Sequence, residues 1–179
     1  METTPIVLER LTLQTLPESA ADGPYLQWMQ DPEIVRHLEP RFTTFSPDGL
    51  AEYIRFMNAD PDVALLGIFV SETGEHIGNI KLGPIDRNRL VGDVGPLVGA
   101  KEHWGKGYAA GAIAGLTVWA MEALGLHKLT AGCDHVNEGS HRAFLKAGRF
   151  EEGRLREHYQ CEGGRVDKIL LAYLRETGP

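Results

Sequence analysis

The stretch Glu102-His103-Trp104-Gly105-Lys106-Gly107-Tyr108-Ala109-Ala110 joins a segment of strand character to the strongest helical pattern in the chain. Gly105 and Gly107 let the backbone turn tightly and approach a ligand closely. The first amides of the following helix find no acceptor within it, so they face outward and favour an anion. A pyrophosphate suits that geometry, and Lys106 adds charge. The plainer reading of the same letters is a tight turn that binds nothing.

On the C-terminal side, residues 106–124 place Ala109, Ala112, Ile113, Leu116, Trp119, Ala120 and Ala123 in one stripe, closed by Gly125 as a left-handed cap. Residues 128–133 read as a strand. Asn137 caps a short helix that runs through Ala147 to Gly148, and residues 149–161 and 165–174 form a last hairpin across Glu162-Gly163-Gly164. On the N-terminal side, residues 91–98 form a strand that contains Gly95-Pro96. A proline cannot donate to a sheet ladder, so a bulge or a split in the sheet is expected there.

Residues 63–70 and 76–82 pair across a turn at 72–75, and 87–90 is a polar connection. Residues 22–38 read as helix interrupted near Asp31-Pro32, and Ser46-Pro47 opens a helix carrying Leu50, Tyr53, Ile54 and Met57. Residues 6–13 alternate as a strand with one slip. The order β, α, α, β, β, β, α, β, α, β, β describes an α/β chain (mixed α+β), a mixed sheet with helices on both faces. No repeat or linker divides it, so residues 1–179 are expected to form one domain.

Composition bounds the function. The net charge of −7 and the lack of a Lys/Arg cluster speak against nucleic acid as a partner. Cys133 and Cys161 have neither disulfide-framework nor zinc spacing and suit a reducing compartment. The N-terminus lacks the basic and apolar regions of a signal peptide, so a cytoplasmic protein is expected. Residues 109–126 are apolar enough to suggest a membrane span. Glu122, Thr117 and three glycines make them a buried helix instead, with no membrane partner. Seven histidines without an i, i+4 pair argue against a metal site.

Two phosphate-binding motifs can be tested on the glycine loop. A Walker loop fails twice, because Ala100 stands at its first glycine and Gly107 at its Ser/Thr. The dinucleotide fingerprint matches at Gly105, Gly107 and Ala110, with Asp134 near its acidic position. That fingerprint follows its strand directly, whereas several residues separate Val98 from Gly105. An NAD(P)-dependent oxidoreductase stays as the alternative.

Further segments carry a resemblance: 104–109, then Gly125-Leu126-His127-Lys128-Leu129, Asn137-Glu138-Gly139-Ser140, Leu145-Lys146-Ala147-Gly148-Arg149-Phe150, Glu152-Gly153-Arg154-Leu155-Arg156, and Asp167 ahead of the last strand. Together they make the chain resemble the GNAT superfamily of acyltransferases, in the branch similar to the ribosomal-protein N-acetyltransferases. The resemblance implies a mostly antiparallel central sheet splayed between the fourth strand (91–98) and the fifth (128–133). It implies pantetheine in that gap along Leu97 and Val98, and coenzyme A pyrophosphate held by His103, Trp104, Gly105, Lys106, Gly107, Tyr108 and Ala109. Asn137 is implied as a pantetheine contact, with Phe144 and Lys146 lining the cofactor. The chain departs from the family at Glu102, where Gln or Arg is usual, so the Glu102 side chain is expected to point outward. It departs again at Gly111, where the branch often has Glu. Gly111 and Gly115 weaken a helix by about 1 kcal/mol each, and close packing would account for them.

Acetyl transfer from acetyl-CoA to a primary amine, by direct attack in a ternary complex, needs a neutral amine, a donor to the oxyanion and a proton for the leaving thiolate. A backbone N–H near Val98 is the expected oxyanion donor. Phe144 stands where many family members have the proton-donating tyrosine, which excludes tyrosine there. Ser140 matches the serine implied for this branch. Asp93 is the best carboxylate for a general base, ahead of His135 and His158. The acceptor, a small molecule or a protein N-terminus, is expected to meet helices 22–38 and 46–59 at Trp28, His37, Arg41, Tyr53 and Phe56. The segment Gly78-Asn79-Ile80-Lys81-Leu82 is similar to family members acting on amino sugars. A non-catalytic coenzyme A sensor is a third reading, and the final strand could extend the sheet across a homodimer.

Overall fold

The computed structural model describes residues 1–38, 44–161 and 163–175. Arg41 and Glu162, named above, lie outside the described residues. The elements run β1 (Ile6–Val7), β2 (Leu11–Thr15), α1 (Pro24–Gln30), α2 (Pro32–Val35), α3 (Pro47–Ala59), β3 (Ala64–Val70), β4 (His76–Asp86), β5 (Val91–Val98), α4 (Tyr108–Ala123), β6 (Lys128–Asp134), α5 (Glu138–Lys146), β7 (Phe150–Cys161) and β8 (Gly164–Leu174). The strands form one sheet in the order β1-β2-β3-β4-β5-β6-β8-β7. Only the β5–β6 neighbours are parallel among its described pairs.

Three expectations change and a fourth is narrowed. The single strand at 6–13 is a tight hairpin in which Ile6 opposes Leu13; the slip in its alternation was the turn at Glu9-Arg10. The strand expected at 76–82 runs on to Asp86. Of the bulge or split expected at Gly95-Pro96 the split is what forms, β5 parting from β6 after Asp93, and the β4–β5 register shift lies instead between Leu82 and Ile85. The final strand is interior, between β6 and β7, so the sheet edge there is β7 rather than β8.

Local chemistry explains the helices. Asp31 breaks the first helical stretch in extended conformation, and its carboxylate accepts from Glu33 N, capping α2. Ser46 caps α3 through Gly49 N, with Pro47 in the first turn. In α4, Ala112, Ile113, Leu116 and Ala120 are buried as the stripe required, whereas Ala123 is exposed and Thr117 and Met121 are buried in its place. A Cβ on Gly115 would come within 2.4 Å of Leu8 Cδ1, so the glycine lets α4 lie on the first hairpin; Gly111 has ordinary space, 3.6 Å from Leu11 Cδ1. No described helix is long and apolar enough to cross a membrane.

Candidate active site

β5 and β6 pair for three residues only: Val91 with Lys128, Gly92 with Leu129, Asp93 with Thr130. Beyond Asp93, residues 94–98 remain paired to β4, and residues 131–134 to β8. The two strands therefore part, two residues before Gly95-Pro96. They leave a wedge walled by backbone whose N–H and C=O groups have no strand partner on the inner side, a geometry that accepts an amide-bearing ligand as an added strand would be accepted. Side chains alternate along a strand, so Asp93, Gly95 and Leu97 share one face with Thr130, Gly132 and Asp134. The α1–α2 segment lies on that face. The Trp28 ring meets His76 at 5.0 Å, and a Cβ on Gly99 would strike the Trp28 indole at 2.0 Å.

The glycine loop stands at the open end. A turn of 3-10 helix (Lys101–His103) separates it from β5. The Trp104 indole donates to Val98 O at 2.8 Å and ties the loop to the strand end. Gly105 and Gly107 sit at φ 73° and 83°, where a side chain is disfavoured. Gly107 is the N-cap of α4 and offers no side-chain cap; the first bond of the helix runs from Gly111 N to Gly107 O at 3.0 Å. The amides of Tyr108, Ala109 and Ala110 therefore precede any intrahelical partner.

Cations surround these donors. Lys146 Nζ lies 3.5 Å from the Cβ position of Gly107. Arg10, in the β1–β2 turn, donates to Lys106 O at 3.1 Å and stacks its guanidinium 4.5 Å from the Tyr108 centroid. Three orphan amides with Lys146 and Arg10 near them, and Lys106 in the loop itself, fit a pyrophosphate. Sequence reasoning missed Arg10, because nothing local marks a residue ninety-six positions from its partner. His103 turns its ring to Glu75, 3.1 Å away, and Glu102 is exposed, its carboxylate gathered with those two groups.

Asn137 Oδ1 accepts from Ser140 N at 3.1 Å, capping α5 and fixing Ser140, half-buried, in its first turn. Phe144 corrects an expectation. It is 1% exposed, packed in the core with the Arg149 guanidinium 5.6 Å from its ring, and so presents no surface to a cofactor. His135 Nδ1 accepts from Asp167 N, and His158 meets Tyr159 edge-on on exposed β7.

Asp93 lies at the closed end of the wedge. Thr130 Oγ1 donates to its Oδ2 at 3.0 Å. Burial pushes the Asp93 carboxyl above the usual aspartate range, opposed by that bond and by the charges of Lys168, Lys81 and Arg149. Four residues of strand separate it from Leu97, about 13 Å of rise. Asp93 is thus not beside the Leu97 and Val98 backbone where the oxyanion was expected, and direct proton transfer from an amine there is beyond its reach. A carboxyl raised by folding contributes stability that is complete below the ordinary aspartate pKa and is lost as pH rises through the folded value. Asp93→Asn is therefore expected to raise Tm by a few degrees at pH 7, a gain that disappears below about pH 4, as thermal unfolding at several pH values will show.

One arrangement was not expected. His37, after α2, places Nδ1 3.0 Å from Oδ2 of Asp134, the last residue of β6 and 3% exposed. Cys161 Sγ donates to the same oxygen at 3.6 Å.

Residues 10–149 match the model of the acetyltransferase (GNAT) domain family. The chain belongs to the GNAT acetyltransferase family. It is accordingly an acyltransferase enzyme. An uncharacterised N-acetyltransferase of Bacillus licheniformis, p20, is 28% identical over 98% of this chain and 97% of its own. Among solved structures, the GNAT fold superposes on RimL, a ribosomal L7/L12 alpha-N-protein acetyltransferase in complex with coenzyme A. That match has TM-score 0.85 at 15% identity and covers 96% of this chain and 98% of RimL. It also superposes on a spermidine N-acetyltransferase of Vibrio cholerae in complex with CoA and spermine, with TM-score 0.83 at 22% identity, covering 93% of this chain and 96% of the other.

Proposed function

We propose that this GNAT protein, acting as one cytoplasmic domain, moves acetyl from acetyl-CoA to a primary amine of a small molecule or a protein N-terminus by direct attack in a ternary complex. The observation that carries this reading is the wedge between β5 and β6 opening beside three unpartnered helix amides. The Tyr108, Ala109 and Ala110 amides, with Lys146, Lys106 and Arg10, hold the pyrophosphate. The free edges of β5 and β6 pair with the pantetheine amides. Acetyl-CoA supplies the activated thioester. The backbone N–H of Leu97 or Val98 donates to the carbonyl oxygen as it gains charge. Ser140 Oγ–H, fixed by the Asn137 cap, protonates the departing sulfur.

The named relatives support an amine acceptor, since one acts on spermidine and another on a protein N-terminus. The dinucleotide alternative is disfavoured because Asp134, its acidic residue, is buried and held by His37 rather than offered to a ribose. Calorimetry with acetyl-CoA, NAD and NADP separates the readings. Binding of acetyl-CoA alone, followed by thiol release with members of an amine panel, is expected. Binding of a nicotinamide cofactor overturns the proposal, and coenzyme A binding without transfer to any amine favours a sensor. The exposed edge of β7, with Phe150 and Leu155, supports a second copy of this chain as a partner.

A further inference from the structure

We propose that His37, held by Asp134, is the general base that takes the proton from the acceptor amine; the inference rests on the acetyl-transfer reading above. Asp93 and Thr130 are the last paired residues of β5 and β6, so four residues further on, Leu97 and Asp134 stand at the same height on opposite walls of the wedge, on the same face. The carboxylate of Asp134, and the imidazole bonded to it, are therefore level with the backbone donors assigned to the acetyl carbonyl. Asp93 is not. Among the described residues, His37 is the one imidazole paired with a buried carboxylate; the carboxylates facing His103 and His141 are half exposed.

The protonation pattern follows from the partners. Arg36 Nε can only donate, and it lies 3.1 Å from His37 Nε2. Nε2 is thus the acceptor nitrogen, and Nδ1 carries the proton given to Asp134 Oδ2. This is the orientation in which a carboxylate fixes the tautomer and stabilises the imidazolium that forms when Nε2 takes a proton. The exposed guanidinium of Arg36 occupies the place where an ammonium N–H would donate, and yields it readily because it is solvated. The side chain of His37 is 19% exposed, enough for an acceptor to reach it. Among the described residues, the charged and titratable groups that meet the pair are Arg36 on its own segment and Cys161 on β7, whose thiol donates to the same Asp134 oxygen; Lys168 stands opposite Asp134 in the β6–β8 register.

The proton balance closes. An acceptor ammonium loses two protons. The first passes to His37 Nε2 and on to solvent. The freed electron pair forms the N–C bond while the C–S bond breaks. The second proton, lost from nitrogen after attack, replaces the one that Ser140 gives to the sulfur.

The test uses the full chain and three variants, His37→Gln, His37→Ala and Asp134→Asn. Thiol release is followed against pH with the amine panel and with water alone as acceptor. His37→Gln is expected to lower turnover about a hundredfold or more and to abolish the acid limb of the pH profile, with acetyl-CoA affinity and Tm unchanged. Added imidazole should restore part of the rate to His37→Ala. Asp134→Asn should lower turnover with acetyl-CoA affinity unchanged, because the imidazole loses the carboxylate that orients it. An NMR titration of the His37 ring in the acetyl-CoA-loaded protein should give a pKa matching that limb. Normal turnover and an intact acid limb in His37→Gln overturn the inference while leaving the acetyltransferase reading intact. Failure of the unaltered protein to bind acetyl-CoA overturns both.

Discussion

Gly107→Val is expected to weaken acetyl-CoA binding at least a hundredfold, about 2.7 kcal/mol, while the protein still folds. Gly107 sits at φ 83° as the N-cap of α4. A β-branched residue there costs roughly 1–2 kcal/mol in the left-handed region, so the backbone relaxes and the Tyr108, Ala109 and Ala110 amides cease to converge. The added Cβ would stand 3.5 Å from Lys146 Nζ, and the γ-methyls beyond it displace that ammonium from the anion. Calorimetry on the variant, with circular dichroism to confirm folding, reads both effects. Unaltered affinity would mean that the loop does not hold the pyrophosphate.

Gly78→Ala is expected to be the most destabilising single methyl in the molecule's site region. A Cβ at Gly78 would lie 2.1 Å from the Leu97 carbonyl oxygen and 2.9 Å from Val98 Cα. Both are backbone atoms of the strand opposite, so no rotamer change relieves the clash. Either β4 and β5 separate at this pair or β5 shifts into the wedge. The first costs about 3 kcal/mol or more, at the upper end of overpacking effects. The second moves the Leu97 and Val98 amides off the acetyl carbonyl. Thermal unfolding together with acetyl-CoA titration distinguishes the two, and a variant unchanged in both would show that the strands approach less closely than this.

Much of this architecture was legible in the letters because the signals were local. The Ser46-Pro47 and Asn137 caps, the Asp31-Pro32 break and the paired glycines at 105 and 107 each act within one turn of backbone, and each appears where the sequence put it. The first hairpin was hidden because two-residue and five-residue strands joined at Glu9-Arg10 look like one alternating run. The order of the last strands was hidden for another reason: a hairpin docks by either strand, and only the burial of Ile169 and Leu171 against β6 decides that β8 lies inside. Side-chain partnerships across the fold had no signature. Arg10 reaches Lys106 and His37 reaches Asp134 only after the sheet has formed. Phe144 was misread because a helix position facing a cofactor and one facing the core share the same spacing.

The short β5–β6 pairing has a thermodynamic consequence. The sheet is two half-sheets, β1–β5 and β6–β8, and the ladder that joins them is three residue pairs long. A ligand lying along both inner edges lengthens that seam, so affinity and cohesion become one linked quantity. Every tenfold of ligand concentration above Kd adds about 1.4 kcal/mol to the folded state. On the proposed acetyl-CoA reading, the supply of acyl donor would then govern how long the molecule survives as well as how fast it works.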